Sequence, residues 1–434
     1  MKTNNKKLWE KAKKIIPGGN GLLSKRPERF LPNGWPTYFK KASGVYIWDL
    51  NNKRYIDMTS MGIGTSVLGY SNKFINHFVK KKIDQGINTT LNCYDEYELG
   101  KELLKIDKFA DQVRFARGGG EAMSLAVRIV RSKTKKTKII FSGYHGWHDW
   151  YLSSNINNIK NLNNHLLKNL KPLGVPKIYK NSAVPLEFNN LNQLYKLSKN
   201  RNLAAIVIEP SRLEKLSKKF VSELNKICKE KKILLVVDEI TSGWRDCKGG
   251  IYKEIGLKPD IVVYGKALGN GFAISALVGK KKIMDIAQDT FVSSTAWTER
   301  VGFAAGLGVI KFHKKKNVFG HNKKMGKHIK KNWIKLAKKH DLKIIVNNLD
   351  TIINFNFLYK SKNDYLITLF TELMLKENFL ANNNIYISFA HSKLIVSKYL
   401  KSVDKVFYLI SRYLKDKSVT LKSEVRKTNY IRVS

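Results

Sequence analysis

The chain has 434 residues, of which 43% are hydrophobic and 11% aromatic, values typical of an ordered globular protein that exclude a wholly disordered one. Its 80 lysines and arginines outnumber its 34 aspartates and glutamates, which gives a formal net charge of +46. The basic residues are spread over the whole length and no motif that reads DNA or RNA accompanies them, so we do not expect nucleic-acid binding to be the main function.

The three cysteines predict a reducing environment. Cys93, Cys228 and Cys247 form no CxxC pair, and an odd number argues against a disulfide framework. We therefore expect a cytoplasmic protein. The first residues are basic but lack the apolar core of a secretory signal, and no uncharged apolar run approaches a membrane-spanning length.

The N-terminal part predicts a helix, an arm and a hairpin. Within residues 1–45, a helix ends at Pro17 and an irregular arm follows. Gly44–Ile47 and Lys53–Met58 are rich in β-forming residues and flank the turn residues 49–52, which predicts a hairpin. Two further segments have helical patterns: Asn72–Gln85 and Tyr94–Lys105.

A run of glycines joins the next strand to a helix. The strand is Gln112–Ala116, the glycines are Gly118–Gly120, and Met123–Val130 has helical spacing of its apolar residues. Free N–H groups and the helix dipole make such a turn a site for anions. A tight turn without a ligand fits these residues equally well. The turn is neither a P-loop nor a GxGxxG dinucleotide site.

Aromatic and histidine residues follow the next predicted strand, Lys138–Ser142. The segment Gly143–Trp150 reads GYHGWHDW, a composition that suits a flat ring ligand at a strand end. His145, His148 and Asp149 are also candidate metal ligands. No matching group of ligands appears downstream, so we predict no metal site.

Three buried-strand patterns each end close to an ionisable residue: Ala204–Ile208 before Glu209, Ile233–Val237 before Asp238, and Ile261–Tyr264 before Gly265 and Lys266. Ligands bind at this edge of open α/β sheets. An acid and a lysine at neighbouring strand ends suit an enzyme that uses pyridoxal phosphate (PLP) as its cofactor. The lysine amine forms a Schiff base with the cofactor aldehyde, and the carboxylate keeps the pyridine nitrogen protonated, so that the ring acts as an electron sink. In the alternative interpretation, Asp238 caps a helix and Lys266 is a solvated surface lysine.

The pattern changes near Lys323, where helices and strands alternate as in a smaller α+β domain. Before this point we predict a strand at Ser275–Gly279 and a helix at Glu299–His313. After it, we predict helices at Lys327–Lys339, Asp364–Glu377 and Val403–Leu414, and strands at Leu342–Val346, Ile352–Phe357 and Ile385–Phe389. We divide the chain into an arm with part of the small domain (1–60), a large PLP-binding α/β domain (61–310), the rest of the small domain (311–420) and a basic, partly disordered tail (421–434).

Six motifs occur in the order RGGGEA, YHGWHD, IEP, DEITSGWR, GKALGNG and STAWTER. This series resembles the class III PLP-dependent aminotransferases of fold type I, and is most similar to the branch around glutamate-1-semialdehyde 2,1-aminomutase. The resemblance covers nearly the whole chain. It implies a large, mostly parallel sheet domain, a smaller α+β domain built from both termini, pyridoxal 5'-phosphate as cofactor, and a homodimer with shared active sites.

The resemblance also implies roles for the residues that match the motifs. Lys266 would form the Schiff base and move protons, and Asp238 would pair with the pyridinium nitrogen. The ring would lie between Tyr144 and Ile240, with Glu209 beneath it near Asp238. The phosphate would bind the N–H groups of Gly119 and Gly120 and the hydroxyl of Thr295 from the partner subunit. In the N-terminal arm, Lys25 or Arg26 would bind a substrate carboxylate.

Three departures from the family pattern fall where the substrate is recognised. Gly118–Gly120 stands in place of Ser-Gly-Thr, so two hydroxyl donors to the phosphate are missing, and we expect Arg117 to compensate. Residues 211–214 replace a glycine-containing loop, and STAWTER replaces a TLSGNP-like run. Three functions therefore stay open: an aminotransferase acting on a small-molecule amino donor and a carbonyl acceptor such as a sugar-like precursor, the aminomutase, and a non-catalytic basic binding protein.

Overall fold

The computed structural model describes residues 4–211 and 214–427. The chain divides into two compact units, Lys73–Asn317 and the combination of Met1–Asn72 with Val318–Ser434. The described residues form the strands β1 (Phe39–Ser43), β2 (Tyr46–Asp49), β3 (Arg54–Met58), β4 (Gln112–Ala116), β5 (Lys138–Ser142), β6 (Ala183–Pro185), β7 (Leu203–Ile208), β8 (Leu234–Asp238), β9 (Ile261–Tyr264), β10 (Ser275–Gly279), β11 (Ile344–Val346), β12 (Ile352–Phe357), β13 (Phe379–Ala381) and β14 (Asn384–Tyr386). The α-helices are α1 (Asn5–Ile15), α2 (Lys73–Ile83), α3 (Tyr94–Ile106), α4 (Gly119–Thr134), α5 (Asp149–Leu152), α6 (Leu191–Leu197), α7 (Lys218–Glu230), α8 (Tyr252–Ile255), α9 (Lys281–Met284), α10 (Arg300–Lys315), α11 (Val318–Lys339), α12 (Asn363–Lys376) and α13 (Lys393–Asp416).

The larger unit, Lys73–Asn317, contains a seven-stranded sheet with the strand order β4-β10-β9-β8-β7-β5-β6. Strand β10 is antiparallel to both its neighbours, and the other pairs are parallel. All residues of β7 and β9 are buried, because parallel strands carry helices on both faces and therefore consist of apolar runs. The predicted α/β class with a large, mostly parallel sheet is confirmed.

The parallel arrangement determines where the polar strand ends lie. Strands β5, β7, β8 and β9 are consecutive neighbours that run in the same direction. Their carboxyl ends therefore share one edge of the sheet, which is the ligand-binding edge of open α/β folds. The residues that follow these four strands are Gly143, Glu209, Glu239 and Gly265.

The smaller unit combines residues from both ends of the chain. Its two sheets have the orders β1-β2-β3-β13 and β11-β12-β14. The parallel pair of β3 and β13 joins the N-terminal and C-terminal segments. Aromatic side chains dominate its core, where the ring of Phe355 lies edge-on to those of Trp333, Phe370 and Phe407. A smaller α+β unit built from both termini is therefore confirmed.

The first boundary between the units falls at Asn72, later than residue 60 where we placed it. Residues 61–72 stay with the smaller unit because Tyr70 pairs with Gly44 through two backbone hydrogen bonds of 2.8 and 2.9 Å. The Tyr70 hydroxyl also donates to Asp57 at 2.6 Å. The glycine-rich sequence of this segment indicated an irregular path but gave no sign of these long-range partners.

The second boundary falls at Asn317, where we had placed it at residue 310. Helix α10 belongs to the larger unit over its whole length. Its Phe312 ring lies 5.7 Å from the Phe74 ring, edge-on. A Cβ on Gly306 would lie 2.9 Å from a methyl carbon of Leu99, so glycine at this position lets α10 and α3 approach closely.

The segment predicted as a basic, partly disordered tail is anchored over residues 421–427. Arg426 forms an ion pair of 2.9 Å with Asp364, and the Glu372 carboxylate accepts the backbone N–H of Lys422 at 2.9 Å. Two acids of the smaller unit, of which Glu372 is buried, therefore hold this part of the chain. Residues 428–434 lie outside the part that the structure describes.

Candidate active site

Asp238 and Lys266 lie at the carboxyl ends of two neighbouring parallel strands. Asp238 ends β8 and pairs with Val263 of β9, and Lys266 follows β9 at the start of the 3-10 helix Lys266–Gly269. The Lys266 backbone has a φ of 44°, which is uncommon for a residue with a side chain. Its Nζ donates to Thr241 Oγ1 at 2.9 Å. Lys266 is therefore bonded within the protein, and the interpretation as a solvated surface lysine is wrong.

The Asp238 carboxylate is buried and bonded on both oxygens. Oδ1 accepts the backbone N–H of Ile240 at 3.0 Å, and Oδ2 lies 2.7 Å from Nδ1 of His145. The chain beyond Glu239 continues as turns, and the next helix begins at Tyr252. Asp238 therefore caps no helix, and its buried charge requires a partner.

His145 is that partner, in place of the metal ligand considered from the sequence. Its side chain is fully buried, and its Nε2 lies 3.2 Å from the carbonyl oxygen of Ser142. A carboxylate and a carbonyl both accept, so both contacts are hydrogen bonds when each ring nitrogen carries a proton. The ring stacks on Trp150 with centroids 6.2 Å apart. The imidazole therefore provides the buried Asp238 carboxylate with a hydrogen-bond partner.

Replacing His145 with phenylalanine is expected to lower the free energy of unfolding by about 3 kcal/mol, because the Asp238 carboxylate then stays buried without its hydrogen-bond partner. Urea unfolding measures this loss. Adding Asp238→Asn to the same chain should restore part of it, since a neutral amide costs less to bury unpaired than a carboxylate does. An equal loss in the single and double variants would contradict the pairing.

The glycine turn, Gly118–Gly120, is the point where β4 passes into α4, which begins at Gly119. The Glu121 carboxylate accepts the backbone N–H of Gly118 at 3.2 Å. The N–H groups of Gly119 and Gly120 belong to the first helical turn, in which the helix itself supplies no acceptor. Together with the helix dipole, these groups favour an anion in front of the turn.

Close packing explains why this turn lacks side chains. A Cβ on Gly119 would lie 3.0 Å from Ile240 Cδ1, and a Cβ on Gly120 would lie 3.1 Å from His148 Nδ1. The Ile240 side chain also comes within 3.4 Å of the Cβ position of Gly265, so it connects the glycine turn with the end of β9. Backbone N–H groups at a helix N-terminus fit a phosphate group, so the residues present fit PLP.

Arg117 does not compensate for the missing hydroxyl groups, and this expectation is wrong. Its Nε donates to the carbonyl oxygen of Ala296 at 2.6 Å, and its Nη2 donates to that of Trp297 at 3.1 Å. The guanidinium therefore points at the STAWTER segment, where backbone carbonyls accept its N–H groups. Thr295 lies in the same segment, exposed, at the start of a short 3-10 helix, Thr295–Thr298.

Tyr144 and Glu209 follow β5 and β7 at the same edge of the sheet. The Tyr144 side chain is exposed, and its ring lies edge-on to Tyr151 at 6.2 Å. Its backbone N–H donates to Glu209 Oε2 at 2.9 Å. Glu209 is buried one residue beyond the last paired position of β7 and β8, so the register places it beside Asp238. The roles of Tyr144 and Glu209 around a ring stay predictions.

Lys25 and Arg26 belong to the smaller unit, in which Lys25 is exposed. The Arg26 guanidinium packs against Gly18, where a Cβ would collide with it. Their predicted contact with a substrate carboxylate stays a prediction. Arg212 and Leu213, in the segment that replaces the family's glycine-containing loop, lie outside the described residues.

Glu239 adds a second buried acid beside Asp238, on the way from β8 into the following turns. Its Oε1 accepts the backbone N–H of Tyr252 at 2.8 Å, and its Oε2 accepts the Ser242 hydroxyl. Burial raises the pKa of Glu239 to about 8. The carboxyl group therefore keeps its proton at neutral pH, as buried acids without a cationic partner do.

The Glu239→Gln variant should be more stable than the wild type near pH 9 and equally stable near pH 5. In the unfolded chain Glu239 loses its proton around its ordinary pKa of 4.5, whereas the folded protein keeps it up to about pH 8. The wild-type free energy of unfolding therefore falls as the pH rises through this window. Urea unfolding at both pH values measures the free energy of unfolding of each protein. The variant should exceed the wild type by an amount on the order of a few kcal/mol at pH 9 and should equal it at pH 5.

Two residues of the site were not assigned their place from the sequence. Thr241 bonds to Lys266, and His145 bonds to Asp238. Thr241 stands three residues after Asp238 in the DEITSGWR motif. Since Asp238 and Lys266 were predicted at neighbouring strand ends, the sequence already indicated that Thr241 lies near Lys266. His145 lies 93 residues before its partner, and nothing local to the YHGWHD motif indicates that distance.

Neither a metal cluster nor a membrane-spanning helix is found in residues 4–211 and 214–427. No group of three or more His, Cys, Asp or Glu side chains there is arranged to hold a metal ion. Over the same residues, no helix combines the length and apolar character that crossing a bilayer requires.

Known proteins share the fold and part of the sequence. The aminotransferase class-III profile matches residues 32–387. Glutamate-1-semialdehyde 2,1-aminomutase of Nitrosopumilus maritimus (strain SCM1) is 37% identical over 317 residues, which cover 71% of this chain and 72% of that protein. The solved FumI protein of Sphingopyxis sp. MTA144 superposes with a TM-score of 0.86 at 24% identity, over 98% of this chain and 99% of that chain. An omega-transaminase from Sphaerobacter thermophilus superposes with a TM-score of 0.83 at 20% identity, over 94% and 98% of the two chains.

These superpositions establish the fold as that of PLP-dependent transferases of fold type I. The profile matches well over half of the sequence, so the chain belongs to the class III aminotransferases. It is accordingly an enzyme of amino transfer that works with pyridoxal phosphate. The predicted family, fold class, cofactor and type of reaction are confirmed.

Proposed function

We propose that this enzyme moves an amino group from a small-molecule amino donor to the carbonyl group of a second molecule, with Lys266 and Asp238 as its catalytic residues. The observation that carries the proposal is the arrangement at the edge of the sheet. Asp238 ends one strand and Lys266 follows the adjacent parallel strand, and each is fixed by hydrogen bonds within the larger unit.

Lys266 is proposed to bind the cofactor through Nζ and then to move protons at the reacting carbons. When bound, pyridoxal phosphate supplies an electron sink for the bonds that break at the substrate. The Thr241 hydroxyl, 2.9 Å from Nζ, orients the amine. The neutral amine is the form that accepts a proton.

Asp238 is proposed to hold a negative charge against the pyridine nitrogen. His145 on Oδ2 and the Ile240 N–H on Oδ1 fix the carboxylate, so its orientation is set before the cofactor arrives. Around it, Tyr144 and Ile240 would cover the two faces of the ring. The N–H groups of the glycine turn would bind the phosphate, as helix N-termini do. These assignments make Lys73–Asn317 the cofactor-binding unit.

A homodimer is part of this proposal, because Thr295 is proposed to contact the phosphate held by the partner subunit. Support comes from a surface of the larger unit around residues 83–97. It exposes five large hydrophobic side chains, a pattern typical of an interaction site: Ile83 49%, Ile87 43%, Leu91 82%, Tyr94 68% and Tyr97 61%.

We propose the cytoplasm as the location of the enzyme. The three cysteines form no disulfide, which suits this reducing compartment.

Lys25 or Arg26 is proposed to bind the carboxylate of the substrate. Arginine and lysine are the side chains that pair with carboxylates in such sites. An Arg26→Ala variant should then raise the KM of a carboxylate-bearing donor. An amino donor with unchanged kinetics in this variant would argue against a role for Arg26.

Glutamate-1-semialdehyde 2,1-aminomutase activity is the second candidate, favoured by the 37% identical relative of that name. Both reactions use the same cofactor residues, so the products decide between them. We expect amino donors to change the absorbance of the bound cofactor, and added carbonyl acceptors to reverse the change. Incubation with glutamate semialdehyde alone should give no 5-aminolevulinate, and its formation without another donor would establish the aminomutase instead.

A further inference from the structure

Arg117 stands immediately before the glycine turn, but its side chain is bonded to a distant segment. We name this segment, Thr295–Glu299, the clamp loop. The Arg117 guanidinium donates to the carbonyl oxygens of Ala296 at 2.6 Å, Trp297 at 3.1 Å and Glu299. A further ion pair of 3.5 Å joins it to the Glu299 carboxylate. One side chain therefore holds three of the five residues of the clamp loop.

The chemistry of arginine makes this contact specific for geometry. A guanidinium presents its donors in a rigid planar fork, and here the acceptors are backbone oxygens, so the contact fixes the path of the chain whatever the side chains are. The Arg117 side chain is 13% exposed. It lies over the Phe303 ring at 4.9 Å and also donates to the Ala273 carbonyl at 3.3 Å. Low exposure strengthens these charge-assisted bonds.

The far end of the clamp loop is held as firmly. Arg300, the next residue, donates through Nε to the Asp95 carboxylate at 2.6 Å, and Lys82 pairs with the same carboxylate at 3.0 Å. The backbone N–H of Arg300 donates to the carbonyl oxygen of Ile87 at 2.8 Å. The clamp loop therefore lies between the glycine turn and the exposed apolar surface of residues 83–97.

Two of the three places where this chain departs from the family pattern thus meet at Arg117. The glycine turn lacks the hydroxyl groups of Ser-Gly-Thr, and the clamp loop belongs to the run that replaces the TLSGNP-like sequence. With these hydroxyl groups absent, each remaining donor to the phosphate contributes a larger share of the binding. Thr295, in the clamp loop, is one such donor in the function proposed above.

We propose that Arg117 is a positioning residue that holds the clamp loop against the glycine turn, so that Thr295 is presented to the phosphate in the partner subunit's site. The proposal rests on the proposed homodimer with shared sites. Arg117 itself has no contact with the phosphate in this account. It acts through the path of the backbone from Ala296 to Glu299.

The test measures PLP binding to the cofactor-free dimer by fluorescence quenching, for wild type and for Arg117→Ala, Arg117→Lys and Thr295→Ala. Each variant should raise the Kd about tenfold, the loss expected from one charge-assisted or hydroxyl contact. Lysine should not rescue, because it keeps the charge but lacks the planar fork. The Arg117→Ala, Thr295→Ala double variant should bind no more weakly than either single variant, because both remove the same contact.

The matched control is Arg131→Ala. Arg131 lies on α4 and, like Arg117, donates to a backbone carbonyl, that of Thr137 at 2.8 Å, away from the clamp loop. Its Kd should stay within about twofold of the wild type. Additive effects of the Arg117 and Thr295 changes, or a wild-type Kd in Arg117→Lys, would overturn the proposal.

Hydrogen exchange of residues 291–299 in the cofactor-free protein tests the clamp without any cofactor. Arg117→Ala should speed exchange in this segment and Arg131→Ala should not. Unchanged exchange in Arg117→Ala would overturn the clamp even in a protein that binds PLP. If Arg117→Ala exchanges faster than the wild type but the wild type binds no PLP, the proposed function fails while the contact between Arg117 and the clamp loop stands.

Discussion

Replacing Lys266 with alanine is expected to abolish amino transfer, lowering turnover by at least about 10⁴-fold. The variant loses both the amine that attaches the cofactor and the base that moves protons at the reacting carbons. The Thr241 hydroxyl, which bonds to Nζ, cannot replace the amine because a hydroxyl forms no Schiff base. Single-turnover kinetics with an amino donor, followed by the absorbance of the cofactor, measures the loss.

Lys280→Ala is the matched control for Lys266. Lys280 follows β10 and forms an ion pair of 2.7 Å with Asp260, so the control also removes a lysine that is bonded near a strand end. Its turnover should stay within about twofold of the wild type. If Lys266→Ala and Lys280→Ala had equal turnover, Lys266 would have no catalytic role.

The Asp238→Asn variant is expected to bind the cofactor but to turn over about 10³-fold more slowly. Asparagine has the same shape and still accepts the Ile240 N–H through its carbonyl oxygen. What it lacks is the negative charge that keeps the pyridine nitrogen protonated, and without that charge the ring is a poorer electron sink. Binding by fluorescence and turnover by single-turnover kinetics separate the two effects.

Asp260→Asn is the comparison for this variant. Asp260 stands just before β9, at the other end of the strand from Lys266, and accepts the backbone N–H of Leu235 at 2.9 Å. The same chemical change there should affect stability far more than turnover. A fall in turnover of the same size in both variants would show that the Asp238 effect is a general consequence of lost charge.

The edge of the sheet could be predicted because each of its strands is a local pattern. β7, β8 and β9 are short apolar runs, and each stops next to a polar or glycine residue. Parallel strands bring such stops to the same edge. The order of the motifs that contain Asp238, Lys266 and the glycine turn then sufficed to identify the family. The roles of these residues are still predictions.

The partners of those residues could not be predicted, since they depend on distances in space. His145 and Asp238 are 93 residues apart, and Arg117 and Ala296 are 179 apart. A lone histidine in an aromatic segment fits a metal site as well as an ion pair. The arginine beside the glycine turn could bond either to a phosphate at the turn or to backbone carbonyls of a distant segment. The sequence alone favoured the phosphate, and the structure shows the carbonyls.

Short strands and long helices were the weaker part of the fold prediction. β1, β6 and β13 have three to five residues, too few for a period of two to be recognised. Helix α13 begins at Lys393, capped by Ser392, which accepts the N–H of Ile395, ten residues earlier than the predicted Val403. The cap was present in the sequence, but the three adjacent apolar residues Leu394, Ile395 and Val396 fit a strand as well as a helix.

Reduction of the holoenzyme with borohydride, followed by peptide mapping, tests the central claim most directly. Reduction makes the bond between the cofactor and its lysine permanent, so the modified residue can be read by mass spectrometry. We predict that the label lies on Lys266 and that an amino donor added before reduction removes it. A label on another lysine, or none at all in protein that retains the cofactor, would contradict the account.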